Sequence, residues 1–189
     1  MSHVDQASPA GATVWSIDPA HTLVEFSAKH MMITTVRGDF KDVTGTINAD
    51  PADPDGSSVA VEIAAASLDT RVQARDDHLR SGDFLEVEKY PTITFRSRRV
   101  SGAHALPGDE FKLVGDLTIK DVTREVTLDV VYGGRGMDPW GGERVSFSAS
   151  ARIDRREFGL TWNQALETGG MLVSNEIRIS IEAQAVRQD

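Results

Sequence analysis

Apolar and polar side chains alternate along most of this chain, the period of a β-strand with one face buried and the other in water. Ile177, Ile179, Ile181, Ala183 and Ala185 alternate with Arg178, Ser180, Glu182 and Gln184. Val145, Phe147, Ala149, Ala151 and Ile153 alternate in the same way with Ser146, Ser148, Ser150 and Arg152. The period continues through Phe111, Leu113, Gly115, Leu117 and Ile119, through Val126, Leu128 and Val130, and through shorter stretches at 14–17, 23–28, 59–63 and 93–95. Turn-forming residues separate these runs at Asp18-Pro19, 51–56, 102–108, Lys120-Asp121 and Gly133-Gly134.

Between 36 and 48 the apolar set is Val36, Gly38 and Phe40, then Val43, Gly45 and Ile47, so the phase slips by one near Asp42. A slip exchanges the two faces unless a bulge absorbs it, and a bulge bends the strand. Gly38, Gly45 and Gly115 inside strands mark bends or close approach of a neighbour. About eight bent strands predict an all-β fold, an eight-stranded antiparallel up-and-down barrel. One segment is helical instead. Thr70 and Gln73 have the spacing of a capping box, Val72, Arg75 and Leu79 then share a face, and Gly82 stands where a helix would end. A further short turn is expected within 163–170. Gly133-Gly134-Arg135-Gly136 reads as a loop, because it precedes no helix and lacks dinucleotide-binding spacing.

The length of 189 residues suits one domain, here a barrel over 13–189 behind a small polar tail at 1–12 that is expected to be disordered. That start has neither a basic nor an apolar region of a secretory signal, and no apolar run approaches membrane-spanning length, so a cytoplasmic protein without an integral membrane segment is expected. With 20 Lys+Arg against 29 Asp+Glu the net charge is −9, which argues against nucleic acid as a partner. The absence of cysteine removes disulfides, thiolate nucleophiles and Cys-ligated metals. No nucleophile elbow, phosphate loop or His-Glu-x-x-His occurs, and His21, His30, His78 and His104 are scattered singly. No catalytic residue, metal site or cofactor is therefore assigned, and the expectation is that the protein is not an enzyme.

The candidate site residues are mostly apolar. Phe26, Phe40, Phe84, Phe95, Phe147, Phe158 and Trp162 mostly fall on the apolar parity of their strands or beside the helix. Met31 and Met32 follow His30 at a strand end, where methionine adapts to irregular apolar surfaces. Leu79 lies on the helix with Arg75 and His78. At about eight strands a barrel interior either fills with side chains or holds one ligand, and the small residues Ala28, Gly45, Gly115, Ala149, Ala151, Ala183 and Ala185 leave room for one. The polar group Arg75, Asp76 and His78 has two readings. It holds a ligand's head group, or it pins the helix to its loops by hydrogen bonds.

Several phrases together resemble one family, the YceI-like, lipocalin-like, polyisoprenoid-binding proteins. They are His21-Thr22-Leu23-Val24-Glu25-Phe26 with His30, then Val36-Arg37-Gly38-Asp39-Phe40, and Arg75-Asp76-Asp77-His78-Leu79-Arg80-Ser81-Gly82-Asp83-Phe84 followed by Tyr90-Pro91-Thr92-Ile93-Thr94-Phe95. Gly115-Asp116-Leu117-Thr118-Ile119-Lys120-Asp121-Val122-Thr123 and Asp154-Arg155-Arg156-Glu157-Phe158-Gly159-Leu160 complete the order, over about 13–187. The resemblance implies an eight-stranded lipocalin-like barrel with a helix at its mouth. It also implies an elongated apolar pocket for an isoprenoid chain or similar long lipid, often a homodimer, and no catalytic residues. Asp121 departs from the family's usual glycine, and the start of the sequence does not resemble the signal peptide of the exported members. The function expected is binding of a polyisoprenoid, isoprenoid quinone or similar chain for carriage, storage or stress protection. The alternatives are an enzyme using His30 or His78 as acid–base on a small apolar molecule, and a structural dimeric barrel.

Overall fold

The computed structural model describes residues 11–50, 52–103 and 106–188. Of the tail expected at 1–12 only Gly11 and Ala12 fall within that range, and His104 lies outside it. The strands are β1 (Thr13–Ile17), β2 (Leu23–His30), β3 (Thr34–Phe40), β4 (Val43–Ala49), β5 (Ser58–Ala64), β6 (Leu68–Asp69), β7 (Thr92–Ser101), β8 (Glu110–Ile119), β9 (Val122–Met137), β10 (Glu143–Asp154) and β11 (Glu176–Gln188). One α-helix, α1 (Gln73–Arg80), lies between β6 and β7 among the described residues.

Pairing runs β1-β4-β5-β7-β8-β9-β10-β11, and β11 pairs back to β1, so eight antiparallel strands close into a barrel. The expected parity is realised in the longest pair, where Phe147 faces Ala183, Ala149 faces Ile181 and Ile153 faces Ile177. The remaining strands, β2, β3 and β6, continue from β11 at one end of the barrel. β11 serves both: Ala185 to Gln188 pair with β1, and Arg178 to Glu182 pair with β2. A short 3-10 turn at Pro19–His21, capped by the Asp18 carboxylate accepting from the Ala20 N–H, separates β1 from β2.

The phase slip near Asp42 is therefore a corner rather than a bulge. β3 pairs with β2 and β6, whereas β4 pairs with β1 and β5, and the chain crosses between these sets at Lys41 and Asp42. The backbone there is held by Lys41 N–H to Ser67 O at 3.1 Å and Ala64 N–H to Asp42 O at 3.0 Å. Register shifts occur elsewhere, between Ser97 and Arg99 in β7 and opposite the glycine run expected to be a loop. Gly134, Arg135 and Gly136 pair with Ser146, Val145 and Arg144 inside β9, and the register shifts between Ser146 and Phe147. Gly134 has φ +117°, a conformation that excludes other side chains.

The capping box does not form. α1 begins two residues later, with Val72 as an N-cap that makes no side-chain bond, and Gln73 reaches forward to Asp77. Thr70 is buried and bonds to Asp76 through both its N–H (2.9 Å) and its hydroxyl (2.6 Å), so its oxygen is engaged in tertiary contact. Within 163–170 the expected turn is a tight reversal in which Gly169 N–H donates to Leu166 O at 3.0 Å.

Two of the strand glycines give up their side-chain space to rings. A Cβ on Gly115 would stand 2.5 Å from Phe95 Cζ, and one on Gly38 would stand 2.5 Å from Phe26 Cζ. These glycines seat aromatic rings against the sheet and do not themselves supply empty volume. Ile93, Phe95, Leu113, Leu117, Leu128 and Phe158 form the larger buried cluster, and Trp15, Ile47, Tyr132, Val145 and Ala185 form a second toward the other end.

Candidate functional site

The barrel interior is hollow. A cavity of about 720 Å³ is lined almost wholly by apolar side chains from every strand of the barrel. Its lining runs from Thr13, Ala49 and Asp50 at one end to His30, His78 and Trp162 at the other. Thr13 lies beside Ala49 where β1 meets β4, and β2 leaves β11 at Ser27, opposite Arg178. At about 3.4 Å per residue, the span of β11 from Gln188 (opposite Val14) to Arg178 is roughly 34 Å along the strand. The alternating strands thus enclose a long slot, because each contributes one inward apolar row.

Aromatic rings group along this slot. At the α1 end His78 stands edge-on to Trp162 at 4.6 Å and to Phe84 at 5.1 Å. Phe26 and Phe40 follow at 5.4 Å, and at the far end Phe147 packs with Tyr132 at 5.5 Å and Phe111 at 6.3 Å. Such offset and edge-to-face pairs fix ring positions, so the wall is shaped rather than fluid.

Of the residues singled out in the sequence, Phe26, His30, Phe40, Arg75, His78, Leu79, Phe84, Phe95, Phe147 and Trp162 line the cavity. Phe158 does not. It is 1% exposed inside the 3-10 turn Arg155–Phe158 and belongs to the packed core. Met31 and Met32 also lie off the lining, on the exposed turn between β2 and β3. His21 is outside as well, bonded to the Asp18 carboxylate at 2.8 Å. Phe111 and Tyr132 also line the cavity, as the parity of their strands implies.

The polar side chains at the mouth are held by hydrogen bonds within the protein. Arg75 donates through Nε to Thr70 Oγ1 at 2.7 Å and through Nη2 to Thr70 O at 2.8 Å, while Asp76 accepts from the same threonine. His78 Nε2 lies 2.8 Å from Asp83 Oδ2. His30 forms an isolated bridge to Val173, which brings the 160–175 segment against the end of β2. Pinning of α1 is thus realised, and Arg75 and His78 still border the cavity.

Arg155 organises the other side of the mouth, a role its sequence context does not suggest. It is 3% exposed, and it donates to the carbonyls of Leu160 (2.6 Å), Trp162 (2.9 Å) and Ser174 (2.9 Å), with Val173 O at 3.5 Å. Burial lowers its pKa from the usual guanidinium value. An arginine fork satisfies several carbonyls at once, so an irregular segment can be fixed without strands. The signal was hidden because Asp154-Arg155-Arg156-Glu157 reads as a solvated charged run.

The YceI-like domain model matches residues 15–185. A UPF0312 protein of Staphylococcus aureus (strain USA300) is 35% identical over 173 residues, covering 91% of this chain and 96% of its own. The crystal structure of Burkholderia cenocepacia BcnA superposes with a TM-score of 0.75 at 25% identity, covering 89% of this chain and 98% of that one. A polyisoprenoid binding domain from Saccharophagus degradans, implicated in plant cell wall breakdown, superposes with a TM-score of 0.69 at 12% identity, covering 92% of this chain and 98% of that one.

Proposed function

The chain belongs to the YceI-like family, and on that premise we propose that its barrel binds a long apolar lipid, a polyisoprenoid, isoprenoid quinone or similar chain. The observation that carries the proposal is the continuous apolar slot from the α1 mouth to the far rim. A compact ligand does not need such a shape, whereas a flexible chain does. At roughly 30 Å³ per methylene-sized group, the volume of a liquid water, about 720 Å³ accommodates about two dozen carbons, or between four and five isoprene units. Each methylene withdrawn from water contributes about 0.8 kcal/mol, so binding needs no chemistry beyond enclosure. The structurally similar protein from Saccharophagus degradans is a polyisoprenoid binding domain, which accords with this reading.

The polar head of such a guest sits at the mouth beside His30, Arg75 and His78. All three line that end of the cavity, while the largely apolar interior offers a head group few partners. Enclosure of a chain that is insoluble in water makes the protein a carrier or store.

Native mass spectrometry and organic extraction of protein purified without added lipid test this directly, together with titration by a fluorescent polyprenyl probe. An extractable apolar chain, or saturable one-to-one probe binding, is expected. A barrel that yields no lipid and leaves the probe in solution would refute the proposal.

A further inference from the structure

The turn joining β2 to β3 exposes three consecutive apolar residues: Met31 at 42%, Met32 at 64% and Ile33 at 75%. Met171, 47% exposed, stands on the neighbouring segment. The two loops abut. Met31 N–H donates to Leu172 O at 2.8 Å, and a Cβ on Gly170 would stand 3.7 Å from Met32 Cγ. His30 and Leu172, the residues adjoining these tips, line the cavity, so the exposed apolar rim is continuous with the slot's interior.

The rim differs in charge from the rest of the surface. Residues 30–36 and 168–175 contain no Asp, Glu, Lys or Arg, in a chain that is 26% charged and carries −9 overall. Its backbone is also prepared for a dry setting. The Met31 and Ile33 N–H groups are already bonded, to Leu172 O and His30 O, so burial of the tip leaves those donors satisfied. Met31 and Met32 both hold left-handed backbone, with φ of 52° and 64°. Side chains other than Gly, Asn and Asp rarely adopt that conformation, so the tip keeps two methionines where smaller residues would fit with less strain. Flexible thioether chains suit a disordered apolar surface.

We infer that this rim docks on the interface of a zwitterionic lipid bilayer, with Met31, Met32, Ile33 and Met171 entering the acyl boundary. This rests on the lipid-binding reading, because a guest drawn from a bilayer could then pass from membrane to slot without crossing water. The lack of charge in 30–36 and 168–175 selects a zwitterionic surface over an anionic one, since the basic side chains of the adjoining strands are already engaged, Lys29 on the Thr35 hydroxyl, Arg37 with Glu25 and Arg178 with Glu176.

Flotation of the full chain with phosphatidylcholine vesicles, in the absence of any polyprenyl guest, tests the docking separately from guest binding. The variant M31N/M32G/I33T places residues that favour left-handed backbone at the two strained positions, so its thermal midpoint should equal or exceed that of the original chain. We expect the original chain to float and the variant to lose at least tenfold in vesicle partitioning. Probe uptake from vesicles should slow by a similar factor, while saturable affinity for probe delivered without vesicles stays within twofold. Absence of the original chain from the vesicle fraction, or equal flotation of the variant, would overturn the docking. So would a dimer of the original chain that the variant converts to a monomer, since the rim would then belong to a second copy.

Discussion

Arg144 Nη1 donates to Asp18 Oδ2 at 2.7 Å across 126 residues of sequence. The same guanidinium donates through Nε to Asp138 Oδ2 at 2.8 Å. It thereby ties the turn between β1 and β2 to the loop between β9 and β10, beside the β1–β11 pairing that closes the barrel. Arg144, and after it His21, hold the Asp18 carboxyl down from 3.8 to about 2. Asp138 is lowered too, chiefly by Arg144 and then by the Gly142 N–H.

A carboxyl with a folded pKa below its unfolded value stabilises the fold above the unfolded pKa. That contribution is lost as pH falls through the folded one. For Asp18 it is complete above about pH 4 and disappears toward pH 2. Its size is about 1–2 kcal/mol after screening near the surface. D18N should lower the urea midpoint at pH 7, and the difference from the original chain should shrink markedly at pH 2. An equal difference at both values would show that the stabilisation does not come from the ionised carboxylate.

Strand parity in the sequence was sufficient to place most of the wall, because a half-buried strand writes its inward face at every second residue. Phe147, Phe95 and Phe26 were legible on that ground. Arg155 was not, since a side chain that fixes irregular backbone has no period to betray it. Thr70 misled for a related reason: the hydroxyl that would cap a helix is also suited to the tertiary bond it makes with Asp76. The β3–β4 corner at Asp42 leaves the same sequence trace as a bulge. Only the pairing partners distinguish them. Met31 and Met32 have the composition of a pocket wall, but their left-handed turn places them outside.

The two ring-seating glycines should respond differently to a methyl group. At Gly38 the nearest atoms to a new Cβ are side-chain carbons of Phe26 and Thr70, whereas at Gly115 the Arg96 carbonyl oxygen lies at 2.5 Å along with the Phe95 ring. G38A and G115A should each cost about 1–3 kcal/mol by overpacking. Adding F26L with T70S should recover a large part of the first loss, because both obstructing carbons are then removed while the hydroxyl bonded to Asp76 is kept. Adding F95L to G115A should recover little, since backbone still obstructs. Thermal melts of the four variants decide the point, and equal rescue at both sites would contradict this account.

Removal of Arg155 leaves the carbonyls of Leu160, Trp162 and Ser174 without their donor. At about 1–3 kcal/mol for each buried polar group left unpaired, R155M should lose at least about 3 kcal/mol of stability. R155K should fail to restore it, because an ammonium cannot reproduce the planar fork. Since Trp162 stands against His78 at the mouth, the same variants should also shift tryptophan emission to the red and weaken probe binding. Denaturant titration with fluorescence reads both effects. A fully stable R155K would show that charge alone, not geometry, fixes the segment.

If the slot binds an extended chain from its α1 mouth, its far end acts as a ruler. Ala183 faces Phe147 and is the β11 residue farthest from the mouth that lines the cavity, and Ala28, which also lines it, lies near the end of β2 beside the mouth. A phenyl group at 183 occupies space that only a long guest reaches, whereas one at 28 obstructs entry for every guest. A183F should leave the affinity of short polyprenols nearly unchanged and shorten the longest chain accepted by about one isoprene unit. The excluded unit forfeits up to about 4 kcal/mol, five carbons at 0.8 kcal/mol each. A28F should instead weaken all lengths together. Competition of a polyprenol length series against one fluorescent probe distinguishes the two patterns. A uniform loss in A183F would mean that the guest does not lie along the slot.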